Sequence, residues 1–186
     1  MTTRALFITA GAVLLLLFHF PLWRITLLAP QYPDGVTLLI YINKIGGAEE
    51  GTLQNINILN HYVGMKPIVP ESIPELVYFP WVTIAFTVLA VIAAAIHKKW
   101  LYITWVSLLI VGISLGIYDF YLWEYDYGHN LDPKAPMVFE DQTYQPPLIG
   151  RKTLLNFVAL SYPHVGGYLI GLSIALGLLA IKLKKK

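Results

Sequence analysis

The sequence predicts an all-α membrane protein, in which four transmembrane helices carry two structured extracytoplasmic loops. Apolar residues make up 56% of the 186-residue chain, charged residues only 13%, and the mean hydropathy is +0.61. A water-soluble domain of this length has too few interior positions for so many apolar side chains. The apolar residues are concentrated in four segments, which together predict a single membrane domain over residues 1–186.

Each of the four apolar segments is close to the ~20 residues that a helix needs to cross a bilayer. The first segment follows Arg4 and contains a leucine run, and it lacks the small-residue cleavage pattern of a removable signal peptide. We therefore expect it to remain as a helix. The predicted spans are residues 5–23, 78–96, 100–118 and 165–183, and the outer regions are residues 24–77 and 119–164.

Basic residues at the ends of the spans predict the orientation, because Lys and Arg are retained on the cytoplasmic side. They occur at Arg4, at residues 98 and 99 between the second and third spans, and at the end of the chain. All eleven acidic residues lie in the two outer regions. We therefore expect both termini in the cytoplasm and both long loops outside it. Nucleic-acid binding is not expected, because the inner basic surface would lie against the membrane.

The two outer regions are predicted to be structured, since their prolines alternate with large apolar residues rather than with the polar residues of disordered chains. Residues 35–47 (GVTLLIYINKIGG) predict a short strand or extended segment that ends at a glycine turn. Residues 52–65 (TLQNINILNHYVGM) predict a helix with Thr52 as its N-cap. Apolar residues recur along it at spacings of three and four: Leu53, Ile56, Leu59 and Val63.

The predicted helix carries candidate metal ligands. Asn57, His61 and Met65 fall at positions i, i+4 and i+8, which places them on one helical face, with Asn60 beside them. A thioether selects Cu(I), and imidazole binds copper in either common oxidation state. A zinc site would more often include Cys, and the chain contains none. The pattern therefore predicts copper binding by His61 and Met65, with Asn57 or Asn60 orienting the imidazole.

The second outer region offers further donors in His129, Met137 and His164. They would complete the same site, form a second one, or only pack, since Met137 can fill an apolar gap and His164 can anchor the fourth helix. The same region suggests an alternative, which is a hard-metal or proton-handling site. Its members would be Glu124, Asp126, His129 and Asp132.

The sequence contains few motifs for helix packing and none for catalysis. Gly112 and Gly116 in the third span, and Gly167 and Gly171 in the fourth, are spaced as in small-residue motifs that let helices approach closely. The sequence has no nucleophile triad, phosphate loop, paired catalytic carboxylates or haem-attachment motif. An enzymatic function is therefore not indicated.

Four strings in the outer regions resemble a family of small bacterial membrane proteins that is associated with the copper-handling accessory proteins of nitrous-oxide reductase. The strings are APQYPDGVTLLIYINKIGG, LQNINILNHYVGMKPI, WEYDYGHNLDPKAPM and YQPPLIGRKTLLNF. The similarity also extends over the four spans. It implies a multi-pass protein of the bacterial inner membrane that handles copper and contacts a periplasmic copper chaperone or copper enzyme. The family supplies no established catalytic residues.

The predicted function is therefore a membrane-bound copper-binding accessory or assembly protein, acting in the maturation of a periplasmic copper enzyme such as nitrous-oxide reductase. Two alternatives remain open. The proline-rich, aromatic outer loops suggest a structural or partner-docking subunit without metal, and the density of aromatic residues near the outer interface suggests an electron-transfer or quinol-interacting subunit.

Overall fold

The structure is a computed structural model that describes residues 2–137 and 143–184. Within these residues it contains five α-helices, five β-strands and two short 3-10 turns. The helices are α1 (Thr3–Val13), α2 (Thr52–Val63), α3 (Glu75–Ile96), α4 (Lys99–His129) and α5 (Val165–Leu183). The strands are β1 (Trp23–Ala29), β2 (Tyr32–Ile40), β3 (Ile45–Gly47), β4 (Gly150–Leu154) and β5 (Phe157–Pro163), and the 3-10 turns are Leu14–Phe18 and Pro70–Ser72.

The predicted all-α class is wrong, because the two outer regions together form a five-stranded antiparallel sheet in the order β3-β2-β1-β5-β4. The first outer region supplies β1, β2 and β3, and the second supplies β4 and β5. The two regions join where β1 pairs with β5, from Trp23 opposite Pro163 to Leu28 opposite Val158. Within the extended segment predicted over residues 35–47, strand is confirmed for most of β2 and for β3. The predicted glycine turn is wrong, because the chain turns between Tyr41 and Lys44, and Gly46 and Gly47 lie within β3.

One face of the sheet is apolar and the other carries polar residues. Ile25 lies opposite Leu38 on β2 and opposite Ser161 on β5, and all three are buried. On the other face Thr26 and Thr37 are paired across β1 and β2, with their hydroxyl oxygens 2.8 Å apart. This alternation is the period of two expected of a half-buried strand.

The apolar face of the sheet packs against α2 and the last turns of α4. Its buried cluster contains Ile25, Val36, Leu38, Ile56 and Ile68, with Phe120, Trp123 and Tyr127 of α4 packed against it. We call this part the cap: the five strands, α2, and residues 120–129 of α4. The helix predicted after Gly51 is confirmed as α2, although Gly51 and not Thr52 is its N-cap. The Thr52 hydroxyl instead donates to the Glu49 carbonyl.

The rest of the molecule is a helical bundle, formed by α1, α3, α5 and α4 up to residue 119. Phe7 of α1 is fully buried at its centre and stacks on Tyr102 of α4, with the ring centroids 3.8 Å apart. Side-chain hydrogen bonds join the helices, because Ser173 donates to the Ala10 carbonyl at 2.7 Å and Trp105 to the Phe86 carbonyl at 2.8 Å. Such bonds are favourable between helices wherever water is excluded.

Three helices, α3, α4 and α5, are long and apolar enough to cross a membrane. At 1.5 Å per residue the 31 residues of α4 extend about 46 Å, beyond the ~30 Å of a hydrocarbon core. A membrane-crossing segment that starts at Lys99 would therefore end near residue 118, and the last turns of α4 lie in the cap. Four spans are not supported, because α1 ends at Val13, a 3-10 turn follows to Phe18, and β1 begins at Trp23.

The predicted glycine contacts are only partly correct. A Cβ at Gly112 or Gly171 would meet nothing within 4 Å, whereas one at Gly167 would lie 3.0 Å from the Leu22 carbonyl oxygen. The tightest approach within the bundle is at Gly11, where a Cβ would lie 2.5 Å from the Cβ of Ala90. This close contact joins α1 to α3. The spacing of glycines within one span does not predict which helix packs against it.

Candidate functional site

The cap contains a partly open apolar cavity of about 70 Å³ between the sheet, α2 and α4. Most of its wall is aliphatic or aromatic and comes from all three elements: Ile25, Leu27, Leu38, Ile56, Leu59, Val63, Ile68, Trp123, Tyr127, Leu154 and Phe157. The lining residues also include Asn60, Glu124, Tyr144 and Met65, and the surface that faces the cavity is almost entirely apolar. This mostly apolar lining with a few polar residues matches small-molecule sites in composition, while the volume is smaller than the roughly 300–1,000 Å³ of drug-sized pockets.

Glu124 is the acidic residue among those that line the cavity. Its side chain is only 1% exposed, and neither carboxyl oxygen has a hydrogen-bond partner among the described residues. The helical period places it on the same side of α4 as Trp123 and Tyr127, which pack against the sheet. Burial disfavours the ionised carboxylate and raises the pKa of Glu124 to about 8. At pH 7 the group is therefore mostly a neutral carboxylic acid, which both donates and accepts hydrogen bonds.

Tyr144 reaches the cavity from the segment that precedes β4. It is 3% exposed, and its hydroxyl has no hydrogen-bond partner among the described residues. Its backbone N–H donates to the Gly128 carbonyl at 2.9 Å, which holds the segment against α4 one turn beyond Glu124. Only glycine fits there, because a Cβ at Gly128 would collide with the backbone of Gln145. Burial also raises the pKa of the Tyr144 hydroxyl, so it remains protonated at neutral pH.

The predicted orienting amides bind backbone in the structure. Asn57 accepts a hydrogen bond from the Ile68 N–H at 2.7 Å and donates to the Ile68 carbonyl at 3.0 Å. Asn60, which is buried, donates to the Lys66 carbonyl at 3.2 Å. These bonds hold the chain after α2 against the helix, which closes one wall of the cavity. Their role in orienting His61 stays a prediction.

His61 and Met65 lie on different surfaces. His61 is exposed, whereas Met65 lines the cavity inside the cap. The reason is that α2 ends at Val63, and Gly64 follows in the left-handed conformation with φ +81°. Residue 65 therefore does not continue the helical face as an i+8 neighbour of Asn57.

Met137 lies beside the end of α2, which carries His61. Its backbone N–H donates to the Tyr62 carbonyl at 3.0 Å, and the Asp132 N–H donates to the Gly64 carbonyl at 2.8 Å. Both Met137 and His61 are exposed. The loop that ends at Met137 therefore brings a second thioether to the outer surface of α2.

The other two predicted ligands are engaged elsewhere. His129 stacks on Tyr125 with ring centroids 3.8 Å apart, and its Nδ1 lies 3.0 Å from the Tyr125 carbonyl oxygen. His164 is the residue before α5, where its backbone N–H donates to the Leu22 carbonyl at 3.0 Å. Its Nδ1 is buried and has no partner among the described residues. His164 therefore lies at the junction of the sheet and the bundle.

The alternative acidic site does not assemble around one point. Glu124 faces the cavity, whereas Asp126 pairs with Lys66 at 2.7 Å on the surface. Hydrogen bonds from the Lys66 ammonium and from Asn130 lower the pKa of Asp126, so this carboxylate is ionised. Within residues 2–137 and 143–184, no group of three or more His, Asp or Glu side chains is arranged to hold a metal ion.

Sequence reasoning named Glu124 only as one member of an acidic group, and it missed Tyr144. The sequence does contain a signal for Glu124, which lies within the aromatic stretch YLWEYDY. In a helix, Glu124 would lie on the apolar side of this stretch. No local signal marks Tyr144, whose burial depends on Gly128 and on the closing of the sheet.

Comparison of the chain with protein-family models, with curated proteins and with solved structures gives no match. The resemblance to the nitrous-oxide reductase accessory family stays a prediction. The features of the molecule that bear on function are therefore those of the cap, above all its cavity and the buried Glu124 and Tyr144.

Proposed function

We propose that the protein is a membrane-anchored binding protein whose cap takes a small, largely apolar, neutral molecule into its cavity. One observation carries the proposal: two residues that line one apolar cavity, Glu124 and Tyr144, have buried carboxyl and hydroxyl oxygens without a partner among the described residues. A buried polar group without a hydrogen bond costs about 1–3 kcal/mol. Hydrogen bonds between a ligand and these two side chains, Glu124 and Tyr144, would offset that cost, and this accounts for polar residues at an apolar cavity.

The chemistry of the wall defines the ligand class. The neutral acid of Glu124 offers one donor and acceptor oxygens, and the hydroxyl of Tyr144 offers a donor and an acceptor. The residues that line the cavity include no Lys or Arg, so an anionic ligand would enter without a counter-charge. An alcohol, phenol or carbonyl group on an apolar body matches both the polar pair and the wall. The partly open cavity accepts the polar group and part of that body.

The membrane anchor places this site close to a bilayer. The same helix, α4, runs from the bundle into the cap and supplies Glu124 directly. The acidic residues lie between residues 34 and 141, and α1, α5 and the turn between α3 and α4 contain none, which favours an extracytoplasmic cap. Apolar molecules that partition into the membrane are therefore available to the cavity at high local concentration.

Binding of defined probes to the detergent-purified protein tests the proposal. The probes are phenol and a series of n-alkanols, and the readout is the shift in Tm with probe concentration. We expect Glu124→Leu and Tyr144→Phe each to weaken binding of the best probe roughly fivefold, the equivalent of one neutral hydrogen bond. Tyr121→Phe is the matched control, since Tyr121 is an exposed tyrosine on the same helix. Probe binding that is unchanged in both cavity variants would contradict the proposal.

The predicted copper-handling role is a second candidate, favoured by the position of Met137 beside the last turn of α2. We propose that His61 and Met137, rather than Met65, supply the exposed imidazole and thioether. Copper is then cargo for a periplasmic chaperone or for a copper enzyme such as nitrous-oxide reductase. Exposed ligands suit this role, because cargo has to be passed on by ligand exchange.

Competition with a chromogenic Cu(I) chelator tests the copper proposal on the purified protein. We expect the His61→Ala, Met137→Ala double variant to lose Cu(I) to the chelator at a lower chelator concentration than the parent. Met65→Ala, which removes a thioether inside the cap, is the matched control and is expected to behave like the parent. A double variant that retains Cu(I) as well as the parent would remove this candidate.

A further inference from the structure

The end of the bundle opposite the cap contains a groove between three segments of chain. Its wall is formed by Thr3 at the start of α1, by residues 97–100 at the turn between α3 and α4, and by Leu183 and Lys184 at the end of α5. The Lys184 ammonium donates to the His97 carbonyl, which ties the end of α5 to the turn. The groove is therefore a place where three helix ends are held together.

The residues that line this groove include three lysines, Lys98, Lys99 and Lys184, but no Asp or Glu. Burial, and then the positive charges of Lys184 and Arg4, lower the pKa of His97. Burial and the charge of Arg4 also lower the pKa of Lys184. Every Asp and Glu of the chain lies between residues 34 and 141, and none lies in α1, in α5 or in the turn between α3 and α4. The cations therefore repel one another, and an anion would relieve that repulsion.

The backbone adds hydrogen-bond donors at the same place. The first helical residue of α4 is Lys99, and its N-cap residue, Lys98, makes no side-chain capping bond. The N–H groups of Lys99 and Trp100 are open to an anion, whereas that of Leu101 already donates to the Lys98 carbonyl at 3.1 Å. The helix dipole favours negative charge at this end.

The wall of the groove is also partly apolar. Trp100 is 60% exposed and Leu183 is 52% exposed, although both belong to apolar helices. Their position at the ends of helices that are long enough to cross a membrane corresponds to the headgroup level of a bilayer. An anion with an attached apolar chain therefore fits the groove better than a free anion.

We propose that this groove binds a phosphate group that is presented by an anionic membrane lipid. The phosphate is held by Lys98, Lys99 and the amides at the start of α4, and the acyl chains lie against Trp100 and Leu183. The site rests on the apolar helices crossing a membrane, and it does not depend on the cavity in the cap.

Competitive lipid binding tests the site on the full chain in a neutral detergent. Equal amounts of phosphatidylglycerol and phosphatidylcholine are added, and native mass spectrometry measures how much of each lipid the protein retains. We expect the parent to retain phosphatidylglycerol about fivefold over phosphatidylcholine, as a few juxtamembrane cations allow. The Lys98→Ala, Lys99→Ala double variant, which leaves the Lys184 contact to His97 intact, is expected to lose this preference.

A charge-matched control separates the groove from overall charge. Arg24→Ala with Arg151→Ala removes two exposed basic side chains from the sheet and is expected to keep the preference of the parent. Equal retention of the two lipids by the parent, or an unchanged preference in the double variant of the groove, overturns the proposal. In a second arm, millimolar inorganic phosphate is added to lipid-free protein. Stabilisation by phosphate without any lipid preference would identify a soluble phosphate instead, and would overturn the lipid as its source.

Discussion

The bundle and the cap differ in how completely their buried polar groups are paired, since the cap pairs Asn60 and Ser161 but leaves other buried groups without a partner among the described residues. In the bundle, the buried hydroxyl of Ser173 and the indole N–H of Trp105 donate to carbonyls of neighbouring helices. In the cap, the equally buried Glu124 and Tyr144 have no partner among the described residues. Polar groups that join helices are explained by stability alone. Polar groups that reduce stability need another reason, and a bound ligand supplies one.

A single helix shows the same difference along its length. Near the start of α4, the hydroxyl of buried Tyr102 lies 3.0 Å from Nδ1 of His97. Six turns later, Glu124 lines the cavity, and its carboxyl oxygens have no partner among the described residues. Secondary structure is the same in both halves, so the surroundings decide whether a polar side chain is satisfied.

The largest expected effect concerns the pH dependence of cap stability. The folded state holds the proton of Glu124 up to about pH 8, whereas the unfolded state releases it near pH 4.5. The free energy of unfolding should therefore fall between these values as pH rises, by up to about 1.4 kcal/mol per pH unit. Denaturation in detergent at pH 5 and pH 8 measures this change. Glu124→Gln should flatten the profile, and a profile as steep as that of the parent would show that Glu124 is not the cause.

The next effect tests how the cap is closed, with two glycines of one helix. Gly128→Ala places a methyl group against the backbone of Gln145, so we expect a cost of roughly 1–3 kcal/mol and loss of probe binding. Gly112→Ala is the control, since a Cβ there meets nothing within 4 Å and helix propensity favours alanine. Chemical denaturation and the phenol Tm shift provide the two readouts. Equal behaviour of the two variants would mean that Gly128 does not position Tyr144.

A smaller effect is expected from the amide that closes the wall beside α2. Asn57→Ala removes both hydrogen bonds to the backbone of Ile68, a buried residue, and should destabilise the cap by about 2 kcal/mol. Denaturation followed by the fluorescence of Trp123, in a variant that lacks the other tryptophans, monitors the cap itself. A loss of Cu(I) binding without any loss of stability would instead favour the predicted orienting role of Asn57.

The smallest effect belongs to the bundle. Ser173→Ala removes one hydrogen bond to the Ala10 carbonyl and should cost about 0.6 kcal/mol, the average for such bonds between membrane helices. Unfolding of the parent and the variant at one pH measures this difference in the free energy of unfolding. The difference should be the same at pH 5 and at pH 8. If the loss of stability caused by Ser173→Ala changed strongly with pH, the proposed difference between bundle and cap would be wrong.

The predictions that came true concern short segments whose conformation depends on neighbours in sequence. The apolar spacing over residues 53–63 predicts α2, and the run over residues 36–40 predicts part of β2. The end of α2 shows the limit of this reasoning, because a single residue, Gly64, turns Met65 away from the face that carries His61. The candidate copper pair changes from His61 with Met65 to His61 with Met137 for that reason.

The sheet was not predictable in the same way. Its central pairing joins β1 to β5, so that the indole N–H of Trp23 donates to the hydroxyl of Ser161 at 2.8 Å across almost the whole chain. The residues of β4 and β5 contain no strong alternation that separates a strand from a membrane-proximal loop. Pairing energy becomes available only after both outer regions meet, and no window of sequence contains both partners.

Composition and hydropathy alone determined that α3, α4 and α5 are apolar helices of membrane-crossing length, because the transfer free energy of a segment is a sum over its own residues. The charge pattern likewise determined that one end of the molecule is basic and the other acidic. Only the tertiary structure decided that the carboxyl of Glu124 is hidden from water. Burial is a property of everything that surrounds a side chain, and here the sheet, α2 and the segment of Tyr144 close around it from three distant parts of the chain.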